Sequence, residues 1–217
     1  MKKITEAAAV QFIEELQKHR SVSDFEKIRH YFQSGDRSGV ENVFMGVRMG
    51  KIFLVAKKFI GMPPADIEQL LESPVHEVRL GAVSIMDGQA RSKKTTPERR
   101  RDLFDIYIRR HDRINHWDLV DSSAPNVIGR YLADQPRDIL YDLARSQNKW
   151  ERRTAIVSTA HFIRCGETAD TLAIAELLLD DPEDLIHQVT GWMLRFAGDV
   201  DRPSLFRFLD EFASMMT

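Results

Sequence analysis

The sequence has a single cysteine, Cys165, among 217 residues. No intrachain disulfide can form, so the fold rests on packing alone. That fits a reducing, cytoplasmic setting. Long apolar runs are absent too, and none approaches the roughly 18 residues of a membrane-spanning helix. The opening Met1-Lys2-Lys3-Ile4-Thr5-Glu6 lacks the apolar core of a secretory signal and runs into Glu14, Glu15 and Lys18. It reads as part of an amphipathic helix. Neither sign of charge prevails. The chain carries 31 Lys and Arg against 33 Asp and Glu, a net charge of −2. The global basic signature of many nucleic-acid binders is therefore missing, although a local patch can do the same work. His111 and His116 have no cysteine or paired-histidine context of the metal-ligand kind. No metal and no cofactor are expected.

What is present is helical periodicity. Phe12, Ile13 and Leu16 open an apolar stripe. Ser23 is placed to N-cap a second helix, with Glu26 completing a capping box. Phe25, Ile28 and Phe32 then share one face. Residues 35–42 are mostly polar and read as a loop. Residues 52–56 continue as a helix to Phe59 and Ile60, closed by Gly61 ahead of Pro63 and Pro64. A strand over 52–56 is the alternative, without an obvious partner strand. Helices are then expected over 66–72, 75–91, 97–110, 118–133, 137–145, 149–164, 169–179, 182–196 and 203–215. Short connections join them and no linker marks a boundary, so 1–217 reads as a single domain.

A weak repeat runs through this pattern. His76-Glu77-Val78-Arg79-Leu80-Gly81-Ala82-Val83 resembles Trp150-Glu151-Arg152-Arg153-Thr154-Ala155-Ile156-Val157, and Leu185-Ile186-His187-Gln188-Val189-Thr190-Gly191-Trp192 follows the same frame. That frame aligns Arg79, Arg153 and Gln188, with a period near 36. Paired helices at this period predict an all-α, right-handed solenoid of HEAT or armadillo-like repeats. A non-repetitive helical bundle is the alternative.

Chemistry concentrates in His116-Trp117-Asp118-Leu119-Val120-Asp121-Ser122-Ser123-Ala124-Pro125. On a helix, Trp117 and Asp121 share one face, one turn apart. Pro125 removes a backbone donor and should kink or offset the helix, with Ser122 and Ser123 available to the freed carbonyls. The other tryptophans stand in Trp150-Glu151-Arg152-Arg153 and Gly191-Trp192-Met193-Leu194-Arg195. Trp150 taken alone reads as core. Asp118 reads as a charge favouring a helix N-terminus, and Arg152 as an ordinary solvated or ion-paired arginine. The basic run of Lys93, Lys94, Arg99, Arg100, Arg101, Arg109, Arg110 and Arg113 is either a solvated helix face or a set of phosphate contacts.

At these residues the sequence resembles the AlkD-like DNA alkylation repair family, which are HEAT-repeat DNA glycosylases. The likeness covers most of the chain. It is carried by Asn115 through Asp121 with Ser123-Ala124-Pro125, by Trp150 through Ile156, by Gly191 through Arg195, and by Val43-Phe44-Met45-Gly46-Val47-Arg48. The resemblance implies excision of positively charged N3- or N7-alkylated purines from double-stranded DNA. It implies that Asp121 is the catalytic aspartate, Arg153 the phosphate-side arginine, and Trp117 and Trp192 the aromatic walls. An N-terminal aromatic would border the site, either Tyr31 or Phe32.

A cationic purine is already a good leaving group, so strong acid catalysis is not required. A fixed carboxylate where positive charge builds on the sugar is what helps. Indoles would contact the cation or sugar, and an arginine would hold a phosphate. No lysine is placed as a Schiff-base nucleophile, so a monofunctional hydrolase, working as a monomer, is expected. The alternative is a non-catalytic helical-repeat module that binds DNA or protein.

Overall fold

The computed structural model describes residues 7–35 and 43–212, with the backbone alone over 31–35. The described residues are helical, apart from turns and one isolated bridge between Val43 and Val75. The all-α, helical-repeat expectation holds. The chain divides into two compact units, 1–114 and 115–217.

Unit 1 contains α1 (Ala8–Gln17), α2 (Val22–Gly35), α3 (Met49–Lys58), α4 (Pro64–Leu71), α5 (His76–Arg91) and α6 (Pro97–Arg109), then a 3-10 turn at His111–Arg113. Phe12 and Leu16 are fully buried, as the first apolar stripe requires. Phe12 meets the edge of Phe59, ring centroids 5.4 Å apart. Helix α2 starts earlier than expected. Ser21, not Ser23, supplies the capping oxygen, accepting from the Asp24 N–H at 3.3 Å. The 52–56 segment is helical, within α3. The loop before α3 hangs on one buried carboxylate: Glu77 accepts from the N–H groups of Met45, Gly46 and Val47 at 2.8–3.3 Å. This gives the Phe-x-Gly-Val-Arg segment a structural reason.

Unit 2 contains α7 (Trp117–Asp121), a π-helical segment (Pro125–Gly129), a last turn α8 (Arg130–Leu132), α9 (Asp138–Ala144), α10 (Lys149–Ser158), α11 (Ala160–Arg164), α12 (Ala169–Leu177), α13 (Asp184–Val200) and α14 (Arg202–Phe212). Helix α10 packs against α7, α9 and α13. The helix expected over 118–133 is broken by a turn at Ser122 and Ser123. The Ser123 hydroxyl donates to the Leu119 carbonyl at 2.6 Å, and the backbone resumes with π geometry from Pro125. The missing proline donor is absorbed as an offset, as anticipated. The 149–164 helix is likewise split at Thr159, whose hydroxyl donates to the Ile156 carbonyl at 2.7 Å.

The repeat is visible in hydrogen bonds, in a frame one residue away from the expected one. Ser73 accepts the Val75 N–H, Ser146 accepts the Asn148 N–H, and Asp181 accepts the Glu183 N–H, each through its side-chain oxygen. The carbonyls of the same three residues pair with side chains six positions on: Arg79 at 2.9 Å, Arg152 at 2.9 Å and His187 at 2.6 Å. Arg152 and His187, not Arg153 and Gln188, are therefore the counterparts of Arg79. A polar turn closed by a side chain from the next helix recurs at each of these helix entrances.

Candidate active site

Trp117 and Asp121 bracket α7, four residues apart and hence on one face. Helix α10 brings up Arg153. Its Nε and Nη2 donate to the two Asp121 carboxylate oxygens, both at 2.8 Å, and Nη1 donates to the Leu185 carbonyl at 2.7 Å. This fork-on-carboxylate geometry fixes a plane as well as a distance. The Arg153 side chain is 8% exposed and that of Asp121 18%. One carboxylate is thus held rigidly at the protein surface by a largely buried cation. Leu185 lies in the first turn of α13, so this one arginine ties α7, α10 and α13 together.

Arg153 has five N–H groups, and three are used in this way. One N–H on each terminal nitrogen is left over. Trp192 is seven residues beyond Leu185 on α13, on the same flank of the helix. It is 47% exposed and stacks at a tilt on Phe196, centroids 5.3 Å apart. Trp117 is partly buried, its ring 5.5 Å from that of His116. The structure thus brings Asp121 and Arg153 into direct contact, sets Trp117 on the same short helix, and leaves Trp192 as an open aromatic surface on the third. Tyr31 and Phe32 fall on α2, but their side chains lie outside the described residues.

Several neighbours take structural roles. Trp150 is core, 5% exposed. Asp118 is more than a helix-end charge: it is buried and pairs with His116 Nδ1 at 2.6 Å. Arg152 forms its own buried fork with Asp181, at 2.5 and 3.0 Å. The basic run in unit 1 mostly turns inward or pairs. Arg99 donates to the Met62 carbonyl, Arg100 to those of Ala90 and Ser92, and Arg113 to those of Leu71 and Glu72. Arg109 pairs with Glu68 and Arg110 with Glu72. Lys93, Lys94 and Arg101 stay exposed.

Residues 12–217 match the family described as DNA alkylation repair enzyme. The chain belongs to that family. Among solved structures, one titled a predicted DNA alkylation repair enzyme from Enterococcus faecalis aligns over 89% of this chain and 90% of its own, with a TM-score of 0.66 and 15% identity. At that identity the likeness speaks for a shared fold of this DNA alkylation repair family member. No curated protein matches the sequence. No helix among the described residues is long and apolar enough to cross a membrane.

Sequence reasoning gave Asp121 and Arg153 separate roles at one site but missed their direct pairing. It also missed the Leu185 carbonyl, a backbone group that leaves no trace in residue letters. The closure of the Ser146 turn by Arg152 was findable in principle, because an arginine six residues after Ser146 repeats the Ser73–Arg79 spacing.

Proposed function

We propose that this DNA alkylation repair enzyme is a monofunctional DNA glycosylase, releasing N3- or N7-alkylated purines from duplex DNA by hydrolysis. The observation that carries the reading is the carboxylate of Asp121, locked by the Arg153 fork yet still partly open to solvent. In the alkylated nucleotide the purine ring is cationic. As the C1′–N9 bond breaks, its electron pair neutralises the purine, and positive charge develops on the sugar. A preorganised anion stabilises that charge without reorganising. Water then adds to C1′, and its proton passes to Asp121 or to solvent, leaving free base and an abasic site. The exposed indole of Trp192 and the part-buried one of Trp117 offer flat surfaces for a cationic lesion or a sugar.

The same ion pair favours one second reading, a non-catalytic DNA-binding module, because Arg153 offsets the charge of Asp121. One experiment separates the two. Duplex DNA carrying N7-methylguanine or N3-methyladenine is incubated with the protein, and free base is measured. Asp121→Asn should lower release by roughly 10²–10³-fold, the range for loss of one transition-state-stabilising group. DNA binding should be retained. Release by the variant at the parental rate would remove Asp121 from the mechanism. No release by the parent protein, with binding intact, would select the binding module.

A further inference from the structure

Unit 2 holds a second group of arginines, away from the sequence motifs. Gly129, the last residue of the π segment, lies so close to the α10–α11 junction that an added Cβ would meet the Ser158 carbonyl and, at 3.0 Å, the Cβ of His161. Arg130 follows immediately, so its backbone enters beside the start of α11. Arg164 stands three residues after His161, about one turn further along α11. Arg137 joins the group from the loop before α9, its guanidinium carbon 3.8 Å from the ring centroid of Phe162. Glu167 and Asp170 both pair with Arg137, at 2.8 and 2.6 Å. Among the described residues, Arg130 and Arg164 have no such carboxylate.

The backbone at this point is held in place. The Gly166 N–H donates to the Ile163 carbonyl and the Glu167 N–H to the Phe162 carbonyl, both at 2.9 Å, with Gly166 at φ +88°. This double closure fixes the end of α11, and with it the position of Arg164. Burial first, then the charges of Arg130, Arg164 and Arg137, push the His161 imidazole below its ordinary value. Its charged form is thus disfavoured at this position. A cation at a helix C-terminus complements the helix dipole, and that accounts for Arg164 alone. It does not account for Arg130, which arrives from another segment.

We propose that Arg130 and Arg164 form a binding site for a backbone phosphate of DNA, distinct from the Asp121–Arg153 pair. Two guanidiniums without a carboxylate of their own match the oxygens of a phosphodiester by charge-assisted hydrogen bonds. The proposal rests on the DNA-binding part of the function proposed above.

The test uses the full-length protein and two double variants, Arg130→Gln/Arg164→Gln and, as a charge-matched control, Arg145→Gln/Arg202→Gln. Affinity for undamaged duplex DNA is measured against salt concentration. Losing two phosphate contacts should reduce the slope of log affinity against log salt by about two, and the control should leave it near the parental value. An unchanged slope in the first variant, or an equal fall in the control, overturns the site.

A second readout does not need DNA. Cys165 is the sole cysteine, is exposed, and has its Sγ 3.8 Å from His161 Nε2. Its alkylation by anionic iodoacetate is compared with that by neutral iodoacetamide. The ratio should be higher in the parent than in Arg130→Gln/Arg164→Gln, and inorganic pyrophosphate should lower it only in the parent. A ratio indifferent to both changes overturns the site. Failure of base release by the parent, with both readouts as expected, would defeat the glycosylase and leave the phosphate site standing. Asp121-dependent base release with neither readout would do the reverse.

Discussion

Arg152 and Arg153 are neighbours on α10, and each forks onto an aspartate, but their partners differ in kind. Asp181 is 2% exposed at its side chain, whereas Asp121 is 18% exposed. The first pair is sealed and also closes a turn through the Ser146 carbonyl. The second presents a carboxylate edge outward. Removing one partner of a buried pair costs about 3–5 kcal/mol, because the other charge is left uncompensated. Arg152→Leu should therefore destabilise the fold by that order, and base release per folded molecule should survive. Arg153→Leu should cost somewhat less in stability and abolish most of the release, since Asp121 loses its fixed orientation. Chemical denaturation paired with a base-release assay below the unfolding transition checks both. Equal activity losses in the two variants would contradict the division of labour. Tyr141 offers a pH test in the same unit. Burial first, then its hydrogen bond to Asp170, pushes the phenol up to about 12 from an ordinary 10. A raised folded value means that its stabilisation is complete below pH 10 and is lost as the pH rises through about 12. The ultraviolet difference titration between the parent and Tyr141→Phe should accordingly centre near the upper value, and a midpoint near 10 would refute the assignment.

At the scale of elements, most helices were legible, because apolar residues at 3.6-residue spacing leave a pattern that packing then obeys. Phe12 with Leu16, and Ile67 with Leu70 and Leu71, are the clearest cases. The interruptions were less legible. Pro125 announced a disturbance, but a turn followed by π geometry depends on where Ser123 places its hydroxyl. The repeat register was also misjudged by one residue, because adjacent arginines make two alignments look equally good. Only the recurring carbonyl contact of Arg79 and Arg152 decides between them. Asp121 and Arg153 were legible as residues of interest through the family resemblance. Their contact was not, because it joins helices 32 positions apart. The π segment yields its own prediction. Gly129 abuts backbone at Ser158, which cannot rotate away as a side chain could. Gly129→Ala should force the segment off the α10–α11 junction and destabilise by about 1–3 kcal/mol, the usual range for overpacking. Thermal melts of the single variant check this, and parental stability would show that the two elements separate at little cost.

Over the whole chain, the near-neutral charge of −2 is resolved by where the cations are used. The conspicuous basic run of unit 1 is spent largely on helix-end carbonyls and on Glu68 and Glu72. The less conspicuous Arg130 and Arg164 of unit 2 have no carboxylate partner among the described residues. Counting basic residues along the sequence therefore does not reveal which cations are already partnered. We propose that the two units nonetheless unfold as one cooperative domain over 1–217. Only Ile114, Asn115 and His116 separate the 3-10 turn at His111–Arg113 from α7. Independent domains are usually joined by exposed, flexible linkers, and three residues are too few for one. The chain supplies its own reporters for this question. All three tryptophans, Trp117, Trp150 and Trp192, belong to unit 2, whereas the far-ultraviolet dichroism of helices reports on both units. In a urea titration the fluorescence and dichroism midpoints should coincide, as two-state unfolding requires. A dichroism transition that precedes or trails the fluorescence change would mean that unit 1 melts on its own. The chain would then be two domains in thermodynamic as well as geometric terms, and the Asp121–Arg153 site would survive unfolding of the N-terminal half.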